Sequence, residues 1–225
     1  MRQLTIFIGA SSKICSAYSK LNPDSNCSFF GRTNPDRLTG FVEYSGISDE
    51  SSIKELTDAL LATLDSKDNV NCANIVFVAG VSDKGWKKCF LVNELMPAIL
   101  SEAVSEYLIE RNRRGSLTYI SSSSAYAGAN KIPYAATKAS LNGIMHSITK
   151  KYSPSVRANI IVPNAFDSGM ISDWSATKKE SVGASNMCGE IGRPEDVASA
   201  IQFCISNKHL TNSVINLTAG SVLMG

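Results

Sequence analysis

Short apolar runs alternate along the chain with longer helix-like segments. Near-continuous apolar stretches fall at 4–8, 28–30, 40–44, 75–78, 117–120, 159–162 and 214–217, and helical segments are predicted over 14–21, 49–65, 86–110, 134–151 and 194–206. Ser48-Asp-Glu precedes one apolar-periodic stretch and Pro194-Glu-Asp opens another, both of them helix-start signals. Strands that are apolar throughout are buried on both faces, which suits a parallel sheet covered by helices. The βαβα alternation therefore predicts an α/β chain folded as one doubly wound domain over residues 1–225, a seven-stranded parallel sheet with helices on both faces and right-handed crossovers.

Ligands in such sheets sit beyond the carboxyl ends of the strands, near the point where strand order reverses. That directs attention to residues 9–15, 31–33, 79–81, 121–124 and 163–168. The first of these reads "GASSKIC" after the strand at 4–8, an apolar strand running into a glycine turn and then a helix, as a dinucleotide-binding unit begins.

Composition removes several other classes of function. The 225 residues suffice for one sizeable core. A formal net charge of +2, with Arg111-Asn-Arg-Arg114 and Lys150-Lys151 as the longest basic runs, predicts no nucleic-acid partner. Six cysteines lack CxxC or CxxxC spacing and the two histidines, His146 and His209, complete no metal pattern, so reduced thiols and no metal are expected. No run approaches the ~18 apolar residues of a membrane span, and residues 1–8 lack the features of a signal peptide. A cytoplasmic location is the expectation.

The sharpest chemical signal is "YAATK": Tyr134 and Lys138 lie four apart on a helix and share one face. Upstream, after the strand at 117–120, comes Ser122 in a run of four serines, and Asn93 lies in the helix opening near Trp86. With these residues the chain resembles the short-chain dehydrogenase/reductase family over essentially its whole length. "GWKKCFLVN", "GSLTYISS", "YAATKAS", "VRANIIVPNAFDSGM", "CGEIGRPEDVA" and "TNSVINLTAG" follow the family's motifs in order. The resemblance implies a Rossmann fold and hydride transfer between a nicotinamide cofactor and a carbonyl or alcohol. It assigns Tyr134 as general acid and base, Ser122 as hydrogen-bond donor to the carbonyl oxygen, with Ser123 the fallback, and Lys138 as holder of the ribose hydroxyls. Asn93 would interrupt its helix and seat a proton-relaying water. Free tyrosine, with a pKa of ~10, donates poorly near neutrality, so a neighbouring cation such as Lys138 is expected to favour the phenolate.

The resemblance places the cofactor against Gly9, Ser11, Ser12, Lys13, Ile14, Arg32, Thr33, Ala79, Gly80, Tyr134, Lys138, Pro163, Asn164, Phe166 and Ser168. In the turn, Gly9 is kept, while Lys13 and Cys15 replace the family's second and third glycines. Lys13 brings an ammonium beside the expected phosphate site at a helix N-terminus, and the backbone N–H groups of 10–14 are expected to remain available. Arg32 after the second strand, with Lys13 and Thr33, points to the 2′-phosphate of NADP(H), with NAD(H) the alternative. Other departures surround the cofactor. N-N-A-G reads Phe77-Val-Ala-Gly80, the adenine-contacting aspartate reads Gly46, P-G reads Pro163-Asn164, and D-G-G reads Thr218-Ala-Gly220. Asn164 is expected to tolerate a positive φ there, and the loop between Gly80 and Trp86 is short, which should open one wall of the site.

The polar segment 165–190, with Trp174 its lone large aromatic, predicts a flexible substrate loop suited to a small polar carbonyl compound such as a sugar or ketone. The family's habit and the apolar helix around 91–109 imply a homodimer or homotetramer. Two rivals are a nucleotide-sugar epimerase or dehydratase, disfavoured by the five residues that follow Gly220, and a non-catalytic cofactor-sensing or interaction protein.

Overall fold

The apolar runs assemble into one sheet. A computed structural model describes residues 3–67 and 69–221. Its strands are β1 (Gln3–Ile8), β2 (Cys27–Gly31), β3 (Phe41–Glu43), β4 (Cys72–Phe77), β5 (Arg114–Ile120), β6 (Val156–Pro163) and β7 (Ser213–Leu217). They pair in parallel in the order β3-β2-β1-β4-β5-β6-β7, the doubly wound topology anticipated from the sequence. Strand order reverses between β1 and β4, so the crevice beyond those two strand ends is where a ligand is expected.

Two apolar layers cover the sheet. Leu4, Ile6, Ile8, Ile75 and Leu117 face one layer with α2 (Glu50–Asp65), α4 (Met96–Glu110) and α7 (Leu141–Tyr152), while Phe7, Phe29, Val76 and Ile161 face the other with α1 (Lys13–Leu21) and α9 (Pro194–Ser206). The expected caps are present. Asp49 and Ser52 form a reciprocal capping box at the start of α2, and Asp196 closes back on the Arg193 amide at the start of α9. The strands are less uniformly apolar than their runs suggest. Thr5, Asn74 and Ser116 lie in register across three strands, and their side chains satisfy one another, Ser116 Oγ donating to Asn74 Oδ1 at 2.8 Å and Asn74 Nδ2 to Thr5 Oγ1 at 3.4 Å.

Two long helices of the sequence reading are broken, each for an identifiable reason. The stretch 86–110 divides into α3 (Trp86–Cys89), a π-helical turn (Phe90–Leu95) and α4. Pro97 has no N–H to return to the Asn93 carbonyl, and the Met96 amide bonds the Leu91 carbonyl, five residues back. The stretch 134–151 begins earlier, as α6 (Ile132–Ala139), and is interrupted at Ser140. There the Ser140 and Asn142 side chains donate to the Thr137 and Ala139 carbonyls. Two short helices, α5 (Ser124–Ala127) and α8 (Ala176–Ala184), were not evident from periodicity.

Gly9 sits at the reversal point with φ +118, and a Cβ there would lie 2.6 Å from the Ala79 amide nitrogen. Both the backbone conformation and the close approach of β1 to β4 require glycine. Gly9→Ala is therefore expected to destabilise the fold by about 2–4 kcal/mol, combining left-handed strain with overpacking. Urea denaturation measures this, and a loss below about 0.5 kcal/mol, the size of an ordinary surface change, would show that the turn relaxes.

Candidate active site

The residues singled out around "YAATK" meet at the carboxyl ends of β4 and β5. Lys138, on α6, is 4% exposed, and its ammonium donates to the Ile120 carbonyl at 2.7 Å, the last residue of β5. Burial pushes its pKa down to about 8. Tyr134, one turn earlier, is half-buried. Burial holds its phenol above the ordinary value, and a hydrogen bond from Ser122 pulls it back. In this arrangement the downward pull on the phenol comes from Ser122, while the Lys138 ammonium is directed to the Ile120 carbonyl.

The four serines after β5 divide their tasks. Ser121 Oγ donates to the Lys138 carbonyl at 3.0 Å and Ser123 Oγ to Asn164 Oδ1 at 3.0 Å. Ser122 Oγ accepts from the Ser124 amide at 3.2 Å and reaches Tyr134. Ser122 is thus the member of the run that faces the phenol.

Asn93 is buried in the π-helical turn, beside the carbonyl that Pro97 leaves without its usual donor. Its side chain pairs with the Val81 backbone in both directions, accepting from the amide at 2.8 Å and donating to the carbonyl at 2.9 Å, and also donates to Thr137 Oγ1 at 3.1 Å. A Cβ on Gly80 would come within 3.0 Å of Lys138 Nζ and 3.5 Å of Asn93 Oδ1, so the absence of a side chain lets the backbone there lie against both groups. The short loop after β4 is consequently pinned. Besides Asn93, Lys131 Nζ donates to the Ser82 carbonyl at 2.9 Å and hydroxyl at 3.2 Å.

The altered glycine turn keeps its bend but not all of its donors. Ala10 N bonds the Phe30 carbonyl at 2.8 Å, Ser12 N the Gly9 carbonyl at 3.1 Å and Ile14 N the Ser12 hydroxyl at 3.3 Å, so three of the N–H groups expected to be available are engaged. Ser12 caps α1, Ser11 is exposed, and Ile14 is buried in the core. Cys15 is fully buried and its thiol donates to the Gly9 carbonyl at 3.5 Å, so the third-glycine position is filled by a side chain packed in the core. Lys13 reaches the loop after β6 and pairs with Asp167 at 2.8 Å.

At the neighbouring strand ends, Arg32 and Thr33 are exposed beyond β2. The Arg32 stem lies over Gly46, where a Cβ would meet its Cδ at 2.8 Å, so the glycine that replaces the family's aspartate makes room for the arginine. Ala79 N bonds the Ile8 carbonyl at 2.7 Å. After Pro163, which ends β6, Asn164 takes no left-handed conformation, so the tolerance of one expected from its type is not called on. It works through its side chain instead, accepting from Ser123 and donating to Asn186 Oδ1 at 2.8 Å. Phe166 pairs with Gly192, and Ser168 is buried. Lys131, Thr137 and Asp167 were missed by sequence reasoning, because each acts through a partner far away in the chain or through the backbone.

The fold and this cluster define a doubly wound α/β domain of the Rossmann type with a Tyr-x-x-x-Lys pair at the carboxyl end of β5, one strand from the switch point. The family described as Enoyl-(Acyl carrier protein) reductase matches residues 40–219. The chain belongs to the short-chain dehydrogenase/reductase family. Among curated relatives it is 24% identical to 3-oxoacyl-[acyl-carrier-protein] reductase FabG of Thermotoga maritima, over 79% of this chain and 75% of that protein. It is 26% identical to the (3R)-3-hydroxyacyl-CoA dehydrogenase of Mus musculus, over 67% of this chain and only 61% of that protein's length. Among solved structures, ligand-free aldohexose dehydrogenase of Thermoplasma acidophilum superimposes with a TM-score of 0.85 at 20% identity, covering 97% of this chain and 93% of that one. A 4-hydroxyisoleucine dehydrogenase complexed with NADH gives 0.84 at 20% identity over 97% and 98% of the two chains, and ElxO with NADP bound gives 0.83 at 15% over 98% and 99%. Among the described residues, no helix is long and apolar enough to cross a membrane.

Proposed function

We propose that this chain is a single-domain oxidoreductase that interconverts a carbonyl and an alcohol on a small polar substrate, using a nicotinamide cofactor with NADP(H) preferred over NAD(H). The observation that carries the reading is the convergence of Tyr134, Ser122 and a buried Lys138 at the end of β5, with the Gly80 backbone lying against the Lys138 ammonium. A lysine ammonium is costly to bury, and its natural use here is to bind hydroxyl groups and favour negative charge nearby. Relatives of this fold that carry NADH or NADP support the cofactor class.

A nicotinamide cofactor held by these residues would supply the hydride. Tyr134 delivers a proton to the alkoxide oxygen formed on reduction and takes it back on oxidation. Ser122 donates a hydrogen bond to that same oxygen, strongest when the oxygen carries charge. Lys138 would hold the ribose hydroxyls, and Asn93, beside its pinned loop, would seat a water that returns protons to Lys138. In this reading Gly9, Ser11, Ser12, Gly80 and Ser168 would border the cofactor, and Arg32, which is exposed, would read a 2′-phosphate. The substrate loop is polar, with Trp174 capped by the Lys178 ammonium at 4.3 Å, and favours hydroxyl-bearing substrates. Family resemblance extends the proposal to a homodimer or homotetramer.

Arg32→Ala is expected to weaken NADPH binding by about tenfold or more, the worth of one charge-assisted contact, and to leave NADH binding unchanged. Nucleotide fluorescence titration measures both, and equal losses for the two nucleotides would remove the NADP(H) preference. A second reading, a cofactor-sensing or interaction protein without turnover, is favoured by the engaged N–H groups of the glycine turn. It requires nucleotide binding with no reduction of any polar ketone.

A further inference from the structure

Lys13 is a cation at the first residue of α1, where the helix dipole disfavours positive charge, and that first turn carries no acidic residue. Its ammonium pairs with Asp167 Oδ2 at 2.8 Å, across 154 residues of sequence. The other carboxylate oxygen, Oδ1, receives a second ammonium at 3.3 Å, from Lys179 on α8. The two lysines hold the Asp167 carboxyl below the usual carboxylate range. Exposed pairs of this kind contribute little to stability, and Lys13, Lys179 and Asp167 are each 30–49% exposed.

Two ammonium groups, one from the glycine turn and one from α8, each bonded to one oxygen of a single anionic group, match what a phosphate with two non-bridging oxygens presents. They stand in front of a turn whose backbone donors are largely engaged. The charge that the missing glycines would let the backbone supply must therefore come from side chains. Building on the functional reading above, we propose that Lys13 and Lys179 form a paired-ammonium site for the diphosphate bridge of the dinucleotide, with the Asp167 carboxylate occupying it until the diphosphate takes its place. The three side chains sum to +1, and displacement of Asp167 leaves two cations facing the two charges of a diphosphate. Because Lys179 rides on α8, the same exchange ties the substrate loop to the occupied cofactor crevice.

Titration of the full-length chain with NADPH, for wild type, Lys179→Gln, Lys13→Gln and Asp167→Asn, tests this, with thermal melts to confirm folding. Lys179→Gln and Lys13→Gln should each weaken binding by about 3- to 10-fold and flatten its dependence on salt. Asp167→Asn, which keeps the shape and removes the competing charge, should tighten binding by about 3- to 5-fold. Lys179→Gln binding as wild type does, or Asp167→Asn binding more weakly, overturns the inference. If the wild type binds neither NADPH nor NADH, the functional reading has failed, and inorganic diphosphate then probes the paired site alone. Binding of that anion that weakens in Lys179→Gln supports the site, and no binding or no difference rejects it.

Discussion

Replacing Tyr134 with phenylalanine is expected to lower kcat for carbonyl reduction by about 10²–10⁴-fold, the usual contribution of a positioned proton donor, with NADPH affinity unchanged. The substitution removes one oxygen and leaves the half-buried ring in place, so folding and the crevice are preserved. Ser122 stays hydrogen-bonded through the Ser124 amide and can still polarise a carbonyl, which is why some residual rate is expected rather than none. Pre-steady-state turnover of a polar ketone beside a nucleotide titration separates the two quantities. A variant that retains turnover within about tenfold, below the general-acid range, would assign the proton to another group and leave the Tyr134–Lys138 pair as an incidental helical neighbour pair. Wild-type protein with tight binding and no turnover would favour the sensing role instead.

Lys138→Met should separate stability from function. Burial lowers the lysine's pKa from 10.5 to about 8 in the folded chain. Below pH 8 the group is protonated in both the folded and unfolded states, and the cost of burying its charge is borne in full. Between about pH 8 and 10.5 the unfolded chain binds the extra proton, so the wild type gains stability as pH rises through that window. The shift corresponds to about 3 kcal/mol, offset in part by the ammonium's bond to the Ile120 carbonyl. Methionine fills the same volume without charge. At pH 7 it should stabilise the fold by about 1–3 kcal/mol, a rise of several degrees in Tm, and the gap should close toward pH 10.5. Turnover should be lost at every pH. A Tm difference that does not change with pH, or a destabilised variant at pH 7, would mean that the ammonium is better solvated than its 4% exposure implies.

Stability given up at a site in this way is characteristic of a group kept for chemistry. Side-chain room is shared out in a similar way at the neighbouring strand ends. Arg32 has its room because Gly46 lacks a side chain, and the turn keeps Gly9, where β1 and β4 nearly touch, while yielding the other two glycines. Positions 13 and 15 can yield because neither needs a left-handed backbone. Cys15 fits inside the core, and the side chain of Lys13 leaves the turn altogether.

The parallel sheet and the helices on both its faces were legible in the sequence because each strand is an apolar run and each crossover a separate periodic segment, both properties of neighbouring residues. The Tyr134–Lys138 pair was legible for the same reason, since a spacing of four on a helix fixes a common face. The breaks in the helices were only partly so. Pro97 stands in plain view, but its effect on the Asn93 carbonyl shows only when the bonding is followed into the π-helical turn. Where the engaged amides of residues 10–14 turn, and that Lys13 and Lys179 meet at Asp167, were decided by tertiary structure alone. Those contacts join elements up to 154 residues apart. A local pattern records which face of an element is buried. What that face meets depends on how the whole sheet winds, and that sets the charge and hydrogen bonding of this site.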